Sequence, residues 1–267
     1  MSKICVLSTK GGVGKSVNSL QVASTFFLSK NEPVELLEFD DENQDSANYS
    51  QSLIPTKQIK VGDGSLLDNI MFDHFGDKTK NQVADIGGNK TTSMFIQAMQ
   101  NTRIYLNFDL FIIPVASGSS QEILNARRTT DLILPFGKPI LYALSRSRCD
   151  VADKDGISFQ YADFFMEFPN APYYVLKDSH SIDLSRKLQK TVYELAFDDK
   201  PLQALQDKLV AALDSGNPQL QKSIHGFIKI YNQSKDFVET SLKPAFAMIE
   251  QLTQPQKPKE QKGAKNA

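Results

Sequence analysis

The sequence predicts an α/β protein with a doubly wound, mostly parallel sheet, helices on both faces of the sheet and a helical C-terminal extension. Three observations support this fold class. Short apolar segments of strand length alternate with segments of helical period, a glycine-rich segment joins the first strand to the first helix, and the last part of the chain has helical periodicity alone. Alternating strands and helices are typical of parallel sheets. With 267 residues, 40% of them hydrophobic, the chain can bury a substantial core.

The first elements form a strand–loop–helix–strand unit. Residues 4–7 are an uninterrupted apolar run, which indicates a fully buried strand. Apolar side chains recur at helical spacing over residues 16–30, and the Asn-Glu-Pro segment that follows ends the helix. Residues 34–39 are predicted to be the second strand.

The alternation continues along the chain. The next helices are predicted at 66–75, 91–100 and 121–134. The remaining strands are predicted at 82–86, 109–117, 138–145 and 172–177. Residues 146–171 show no clear period, and no element is assigned there.

The C-terminal part has a heptad-like spacing of apolar positions, interrupted by Lys235 and Pro244. The positions are Ile224, Ile228, Tyr231, Lys235, Val238, Leu242, Ala245, Ile249 and Leu252. Such a stripe fits either a terminal helix packed on the domain or a surface for dimerisation or a partner helix. We expect an α/β domain over 1–215, a packed helical segment over 216–253 and a disordered basic tail over 254–267.

Charge and composition exclude several classes of protein. The formal net charge is −1, so binding to nucleic acid would need a local basic patch. No segment has the roughly 18 consecutive apolar residues of a membrane span, and no secretory signal is visible. We therefore expect a cytoplasmic protein that does not bind membranes.

The segment "KGGVGKSV", residues 10–17, carries the clearest chemical signal. It lies between a strand and a helix, where glycines let backbone amides point at a phosphate and the helix N-terminus adds positive potential. Lys15 is expected to reach the β and γ phosphates of ATP, and the Ser16 hydroxyl to ligate Mg²⁺. The predicted nucleotide-binding residues are Lys10, Gly11, Gly12, Val13, Gly14, Lys15, Ser16 and Val17.

This segment resembles the deviant Walker A motif, K-G-G-x-G-K-[ST], of the ParA/MinD family of P-loop ATPases. The resemblance implies an ATP-bound homodimer in which Lys10 contacts the phosphates held by the other subunit. ATP would then be the ligand that drives dimerisation.

A second segment, "LLEFDDENQDS" over 36–46, is similar to the family's D-x-D-P-Q motif. Glu38 takes the place of the first aspartate, and Asp40 that of the second. The resemblance implies that Asp40 positions the attacking water, so the expected catalytic residues are Lys10, Lys15, Glu38 and Asp40. Glu38 is one methylene longer than the usual aspartate, and Asp41 replaces the usual proline.

The segment "NQVADIGG", residues 81–88, fits a Walker B strand. Asp85 at its end is expected to hold Mg²⁺, and Gly87 and Gly88 to keep the backbone close to the phosphates. An aspartate followed by small residues resembles the plasmid-transfer, TraL-type members of the group.

Weaker sequence signals indicate which residues could contact the adenine base and DNA. Ser145 and Arg146 lie where many members carry the Asn-Arg pair that contacts adenine, so they are the base-pocket candidates. The segment "LQKTVYELAFDD", residues 188–199, resembles partition ATPases, and the resemblance as a whole covers about 1–200. The basic residues that could contact DNA phosphates are Arg127, Arg128, Arg186, Lys187 and Lys190.

The resemblance implies a slow ATPase in plasmid or chromosome partition. It would bind DNA non-specifically, associate with the bacterial nucleoid and be stimulated by a partner protein on a centromere-like site. The alternative is an accessory ATPase or scaffold that binds a protein of the conjugative transfer complex. A redox relative would need a cysteine pair, which the distant Cys5 and Cys149 do not supply.

Overall fold

The computed structural model describes residues 1–40, 48–116 and 119–254. The later part of the predicted acidic motif, 41–46, and all but the first residue of the predicted tail lie outside the described residues. Within them, the strands form one sheet with the order β3-β2-β4-β1-β5-β6-β7, and every neighbouring pair is parallel. The strands are β1 Lys3–Val6, β2 Val34–Phe39, β3 Thr56–Ile59, β4 Asn81–Ile86, β5 Leu110–Val115, β6 Ile140–Ser147 and β7 Tyr173–Lys177.

The first helical run is continuous but not uniform. It begins as α1 Lys15–Val17, passes through a π-helical segment, Asn18–Ser24, and ends as α2 Thr25–Ser29. The helices that follow are α3 Leu67–Phe75, α4 Lys90–Thr102, α5 Ser120–Ile133, α6 Lys154–Gln160, α7 Ala162–Glu167, α8 His180–Lys187, α9 Val192–Phe197, α10 Lys200–Asp214, α11 Pro218–Phe237 and α12 Lys243–Thr253. A second π-helical segment, Val238–Leu242, joins α11 to α12.

Two hydrophobic cores cover the two faces of the sheet. Side chains alternate between faces along a strand, so Cys5 and Leu7 belong to one core, whereas Ile4 and Val6 belong to the other. Residues of α3, α4, α5, α6 and α7 fill the first core. Residues of the first helical run, α9 and α12 fill the second. The predicted arrangement, a parallel sheet with helices on both faces, is therefore confirmed.

The predicted strands are all present, but the sequence analysis missed β3 and the two helices α6 and α7. In the part of the chain that the structure describes, β3 pairs only with β2 at the edge of the sheet, and its central residues Lys57 and Gln58 are exposed. Because its composition is polar, it carries no apolar run that would indicate a strand. The helices α6 and α7 occupy the segment 146–171, where the predicted period was unclear.

The C-terminal stripe packs largely against the domain. Tyr231, Leu242 and Ile249 are fully buried, whereas Lys235 is exposed. Pro244 lies in the first turn of α12, directly after the π-helical segment. There its missing N–H interrupts no regular α-helical turn. No helix in the described part of the chain is both long and apolar enough to cross a bilayer.

Candidate functional site

An open cleft of about 580 Å³ lies at the carboxyl ends of the central strands, where parallel α/β sheets bind ligands. The loop between β1 and α1 forms one wall, and the segment that joins β4 to α4 forms another. The residues that line the cleft are Gly11, Gly12, Gly14, Lys15, Ser16, Val17, Asp40, Gly62, Asp85, Ile86, Gly87, Gly88, Asn89, Lys90, Thr91, Met94, Arg146 and Arg186. Six of the eight predicted nucleotide-binding residues are in this set. Lys10 and the buried Val13 are not.

The glycine-rich loop has a backbone that few side chains permit. Gly12 and Gly14 have φ values of 75° and 92°, in the region that favours glycine. Lys15 follows, nearly buried at 9% exposure, and its Nζ donates to the carbonyl oxygen of Lys10 at 3.1 Å. Burial lowers the pKa of Lys15, and the negative charges of Asp85 and Asp40 oppose that shift. The ammonium group is therefore held across the loop by a backbone oxygen that a phosphate oxygen could replace.

Gly87 and Gly88 allow three chain segments to meet at the floor of the cleft. A Cβ on Gly88 would lie 3.1 Å from both the N and Cα atoms of Gly11. A Cβ on Gly87 would lie 2.9 Å from the Phe39 carbonyl oxygen and 3.1 Å from Cγ of Asp40. The Gly87 N–H also donates to that Phe39 oxygen at 2.7 Å. Both positions thus need glycine because the backbone approaches closely.

Two buried carboxyl groups lie next to each other below the glycine-rich loop. Glu38 and Asp85 are register partners on the parallel strands β2 and β4, and they are 3% and 4% exposed. Burial raises the pKa of Asp85 to about 7, a hydrogen bond from Ser16 opposes the rise, and the charge of Glu38 adds to it. The Gln58 amide, on the unpredicted strand β3, donates to Glu38 Oε2 at 3.5 Å.

The Asp85 carboxyl group of this pair could also bind a cation. Within the described residues, Oδ1 of Asp85 is buried and accepts no hydrogen bond. An orphaned carboxylate oxygen beside the Ser16 hydroxyl is a donor set that suits Mg²⁺, which prefers oxygen ligands and keeps several waters. No group of three or more His, Cys, Asp or Glu residues in the described ranges could hold a metal ion. The remaining ligands would have to be water or phosphate oxygens.

Asp40 follows β2 and is half-buried on the wall of the cleft. Its carboxyl group packs against Gly87 and contributes to the charge around Lys15. The structure therefore brings Asp40, Asp85, Lys15 and Ser16 to one cleft, and the roles assigned to them from the motifs stay predictions.

Lys10 is held by a residue that the sequence analysis missed. Its Nζ lies 3.2 Å from Oε1 of Glu122, in the first turn of α5. The Glu122 side chain is 13% exposed, and that of Lys10 is 36% exposed. The two residues are 112 positions apart in the chain, so no local signal could have identified the pair.

The two predicted base-pocket residues lie in different environments. Ser145 is 2% exposed, its Oγ accepts from Nδ2 of Asn18 at 2.8 Å, and it does not line the cleft. The same Asn18 nitrogen donates to the Gly14 carbonyl oxygen at 2.8 Å, and Tyr174 donates to Asn18 Oδ1 at 2.6 Å. Ser145 therefore supports the glycine-rich loop from below. Arg146 does line the cleft, with a left-handed φ of 60°.

The predicted DNA-contacting residues are also in different environments. Arg127 forms ion pairs with Asp131 and Glu167, and Lys190 Nζ lies 2.7 Å from Asp198 Oδ2. The Lys187 amine lies over the Phe227 ring, 5.9 Å from its centroid. Arg128 is exposed on α5. Arg186 instead lines the cleft, which is not where a contact to an outer DNA duplex would be placed.

Comparison with known proteins identifies the fold. The structure is similar to the MinD cell division protein of Aquifex aeolicus with a TM-score of 0.52 at 14% identity, over 75% of this chain and 90% of that chain. An ATP complex of a Cyanothece McdA variant gives 0.49 at 14% identity over 90% and 97%, and pnob8 ParA gives 0.47 at 15% over 94% and 99%. No family model matches the sequence, and no curated protein matches it significantly. The chain thus has the α/β fold of MinD, which is the fold that the motif resemblance implied.

Proposed function

We propose that this protein is an ATPase of the ParA/MinD type that dimerises on ATP and Mg²⁺ and acts as a molecular switch in plasmid or chromosome partition. One observation carries the proposal. A glycine-rich loop with its lysine, the Ser16 hydroxyl and a buried carboxylate oxygen that has no partner among the described residues converge on one cleft. This combination suits a phosphate chain together with a divalent cation.

Each residue has a defined task in this proposal. The loop amides and the N-terminus of α1 would bind the β and γ phosphates, and Lys15 would exchange the Lys10 carbonyl oxygen for a phosphate oxygen. Ser16 and Asp85 would hold Mg²⁺, which neutralises phosphate charge when bound. Asp40 would accept a hydrogen bond from the attacking water, and slow turnover would depend on a partner protein.

The switch depends on Lys10. Because its amine is paired with Glu122 outside the cleft, it is not committed to a nucleotide in its own chain. In a dimer it would contact the γ phosphate held by the other subunit. A ligand shifts an equilibrium only by its differential affinity for the two states, so ATP, which has the γ phosphate, would favour the dimer and ADP would not.

Nucleotide binding and light scattering test the proposal directly. The wild type should bind ATP and ADP, and only ATP with Mg²⁺ should double its mass. Lys15→Ala should abolish binding, whereas Lys10→Ala should keep binding and lose the dimer. A wild type that binds neither nucleotide, or a Lys10→Ala protein that still dimerises, would refute the proposal.

DNA binding is a separate component, tested by fluorescence anisotropy of a non-specific duplex at two salt concentrations. Phosphate contacts release counterions, so affinity should fall steeply as salt rises. ATP-dependent and salt-sensitive binding would support partition. Intact ATP binding without any DNA binding would favour the second candidate.

The second candidate is a scaffold ATPase of conjugative DNA transfer, and the outer helices favour it. Val210 and Leu213 on α10 are 59% and 58% exposed, and Leu220 on α11 is 46% exposed. Deleting the C-terminal segment would not test this role because Ala245, Phe246 and Ile249 of α12 belong to the second core. The double variant Val210→Ser/Leu213→Ser should instead weaken binding to a purified transfer protein, and unchanged binding would count against docking at α10.

A further inference from the structure

Arg186 is placed differently from the other basic residues of its segment. It lies in the last turn of α8, it is exposed, and it borders both the main cleft and a small adjoining pocket. Ser16, Val17 and Asp85 border the same two spaces. No ion pair or side-chain hydrogen bond of Arg186 occurs within residues 1–40, 48–116 and 119–254, whereas Arg127 and Lys190 are both paired with carboxylates.

The position of Arg186 is fixed by contacts on either side of it. The Gln21 side chain donates to Ser185 Oγ at 3.1 Å, and its Oε1 accepts from the Val192 N–H at 2.8 Å. Gln21 and Ser185 are fully buried. The end of α8 is therefore tied to the first helical run, one to two turns beyond the N-terminus at which a phosphate would bind.

The charges around Arg186 favour an anion. Four basic residues border the cleft, against the carboxyl groups of Asp40 and Asp85 there and that of Glu38 in the adjoining pocket; the basic residues are Lys15, Lys90, Arg146 and Arg186. A guanidinium group with five N–H donors suits bidentate contact to phosphate oxygens.

We propose that Arg186 binds a phosphate group of the nucleotide held by its own chain and is not a DNA contact. This inference rests on the proposed nucleotide site. It gives Arg186 a role different from that of the other predicted DNA-contacting residues. The next residue, Lys187, places its amine over the Phe227 ring instead.

Titration with inorganic tripolyphosphate and with ATP, followed calorimetrically, tests the assignment. Arg186→Ala should weaken binding of both ligands about tenfold or more, the size of a lost charge-assisted hydrogen bond. The affinity of Arg186→Lys should lie between those of Arg186→Ala and the wild type, because lysine keeps the positive charge but loses the bidentate guanidinium group. Lys187→Ala removes the same charge one residue further on and should stay within about twofold of the wild type. The thermal midpoint of each variant checks that it is folded.

The outcomes separate the inference from the function on which it rests. A wild type that binds neither ATP nor tripolyphosphate removes the proposed function itself. A wild type that binds both, with Arg186→Ala unchanged, overturns the inference alone. Loss of ATP affinity with tripolyphosphate binding unchanged would place Arg186 at the base or ribose, and loss of DNA affinity alone would make it a DNA contact; either result also overturns the phosphate assignment.

Discussion

At the scale of single residues, the most informative group is the Asp85 carboxyl. It is buried beside Glu38, its Oδ1 lacks a partner among the described residues, and burial raises its pKa from 3.8 to about 7. The folded protein therefore retains a proton on Asp85 at pH values where the unfolded chain has released it. Folding tolerates this arrangement at a cost in stability, which a bound cation would offset.

The free energy of unfolding of the protein in EDTA should therefore fall as pH rises from about 4 to about 7 and then level off. The size of the pKa shift of Asp85 limits this decrease in the free energy of unfolding to about 4 kcal/mol. Asp85→Asn should flatten this dependence and raise the thermal midpoint at pH 8, as scanning calorimetry would show. The exposed carboxyl of Asp214 provides a control, since Asp214→Asn should keep the wild-type slope. An equal slope in Asp85→Asn would show that another group titrates.

At the scale of elements, the turn between β4 and α4 acts as a spacer between the glycine-rich loop and the end of β2. A Cβ on Gly88 would lie 3.1 Å from backbone atoms of Gly11, and a Cβ on Gly87 would lie 2.9 Å from the Phe39 carbonyl oxygen and 3.1 Å from Cγ of Asp40. The separation of the predicted phosphate loop from the predicted water-positioning carboxylate is thus set by two residues without side chains.

Gly88→Ala should displace the glycine-rich loop because the new methyl group would lie 3.1 Å from backbone atoms of Gly11. We expect ATP affinity to fall by about tenfold or more, with a loss of stability of about 1–3 kcal/mol, typical of overpacking. Gly226→Ala is the matched control, since nothing lies within 4 Å of its new Cβ in the helix α11. That variant should keep ATP affinity and gain up to about 1 kcal/mol. Equal affinities in fluorescence titrations of the two variants would contradict this account.

The elements also show what the sequence could predict. The central strands are buried on both faces, and each contains a short apolar run that the sequence pattern reveals, although β2 and β4 also carry the buried Glu38 and Asp85. The edge strand β3 has exposed polar residues at its centre, and its side chains carry no such signal. The motifs predicted Lys15, Ser16 and Asp85 as site residues because each lies at a local strand–loop transition, and all three line the cleft. Arg186 reaches the cleft, and Glu122 reaches Lys10, only through tertiary packing, which single-sequence patterns do not record.

At the scale of the whole molecule, the Lys10–Glu122 pair would couple the monomer to the dimer. In the proposed dimer the pair would have to separate before Lys10 could reach the second subunit, so it would stabilise the unassembled protein. A partly exposed ion pair contributes about 0.2–1 kcal/mol.

Because each subunit of the dimer would break one such pair, Glu122→Gln should tighten ATP-dependent dimerisation by up to about 25-fold. Analytical ultracentrifugation over a concentration series with ATP and Mg²⁺ measures the change. Glu239→Gln breaks the exposed pair with Lys243 on the C-terminal helices and should leave the dimer unchanged. If Glu122→Gln dimerises no better than the wild type, the pair does not restrain Lys10.

Asp40→Ala should prolong the life of the ATP-bound dimer, because a carboxylate that orients the water would be lost while the phosphate contacts remain. We expect turnover to fall by at least about a hundredfold, with ATP affinity within a few-fold of the wild type. Phosphate release assays and dimer lifetimes after dilution would measure this. Unchanged turnover would reject Asp40 as the water-positioning group.

The hydrogen bonds of Asn18 have a consequence for the kinetics of ligand capture. The Asn18 side-chain amide joins the Gly14 carbonyl, the Ser145 hydroxyl and the Tyr174 phenol, so hydrogen bonds within the protein anchor the glycine-rich loop to β6 and β7. The conformational entropy of the loop is thus lost during folding and not during binding. A nucleotide should meet a preorganised loop, and its association rate should be set by diffusion into the cleft.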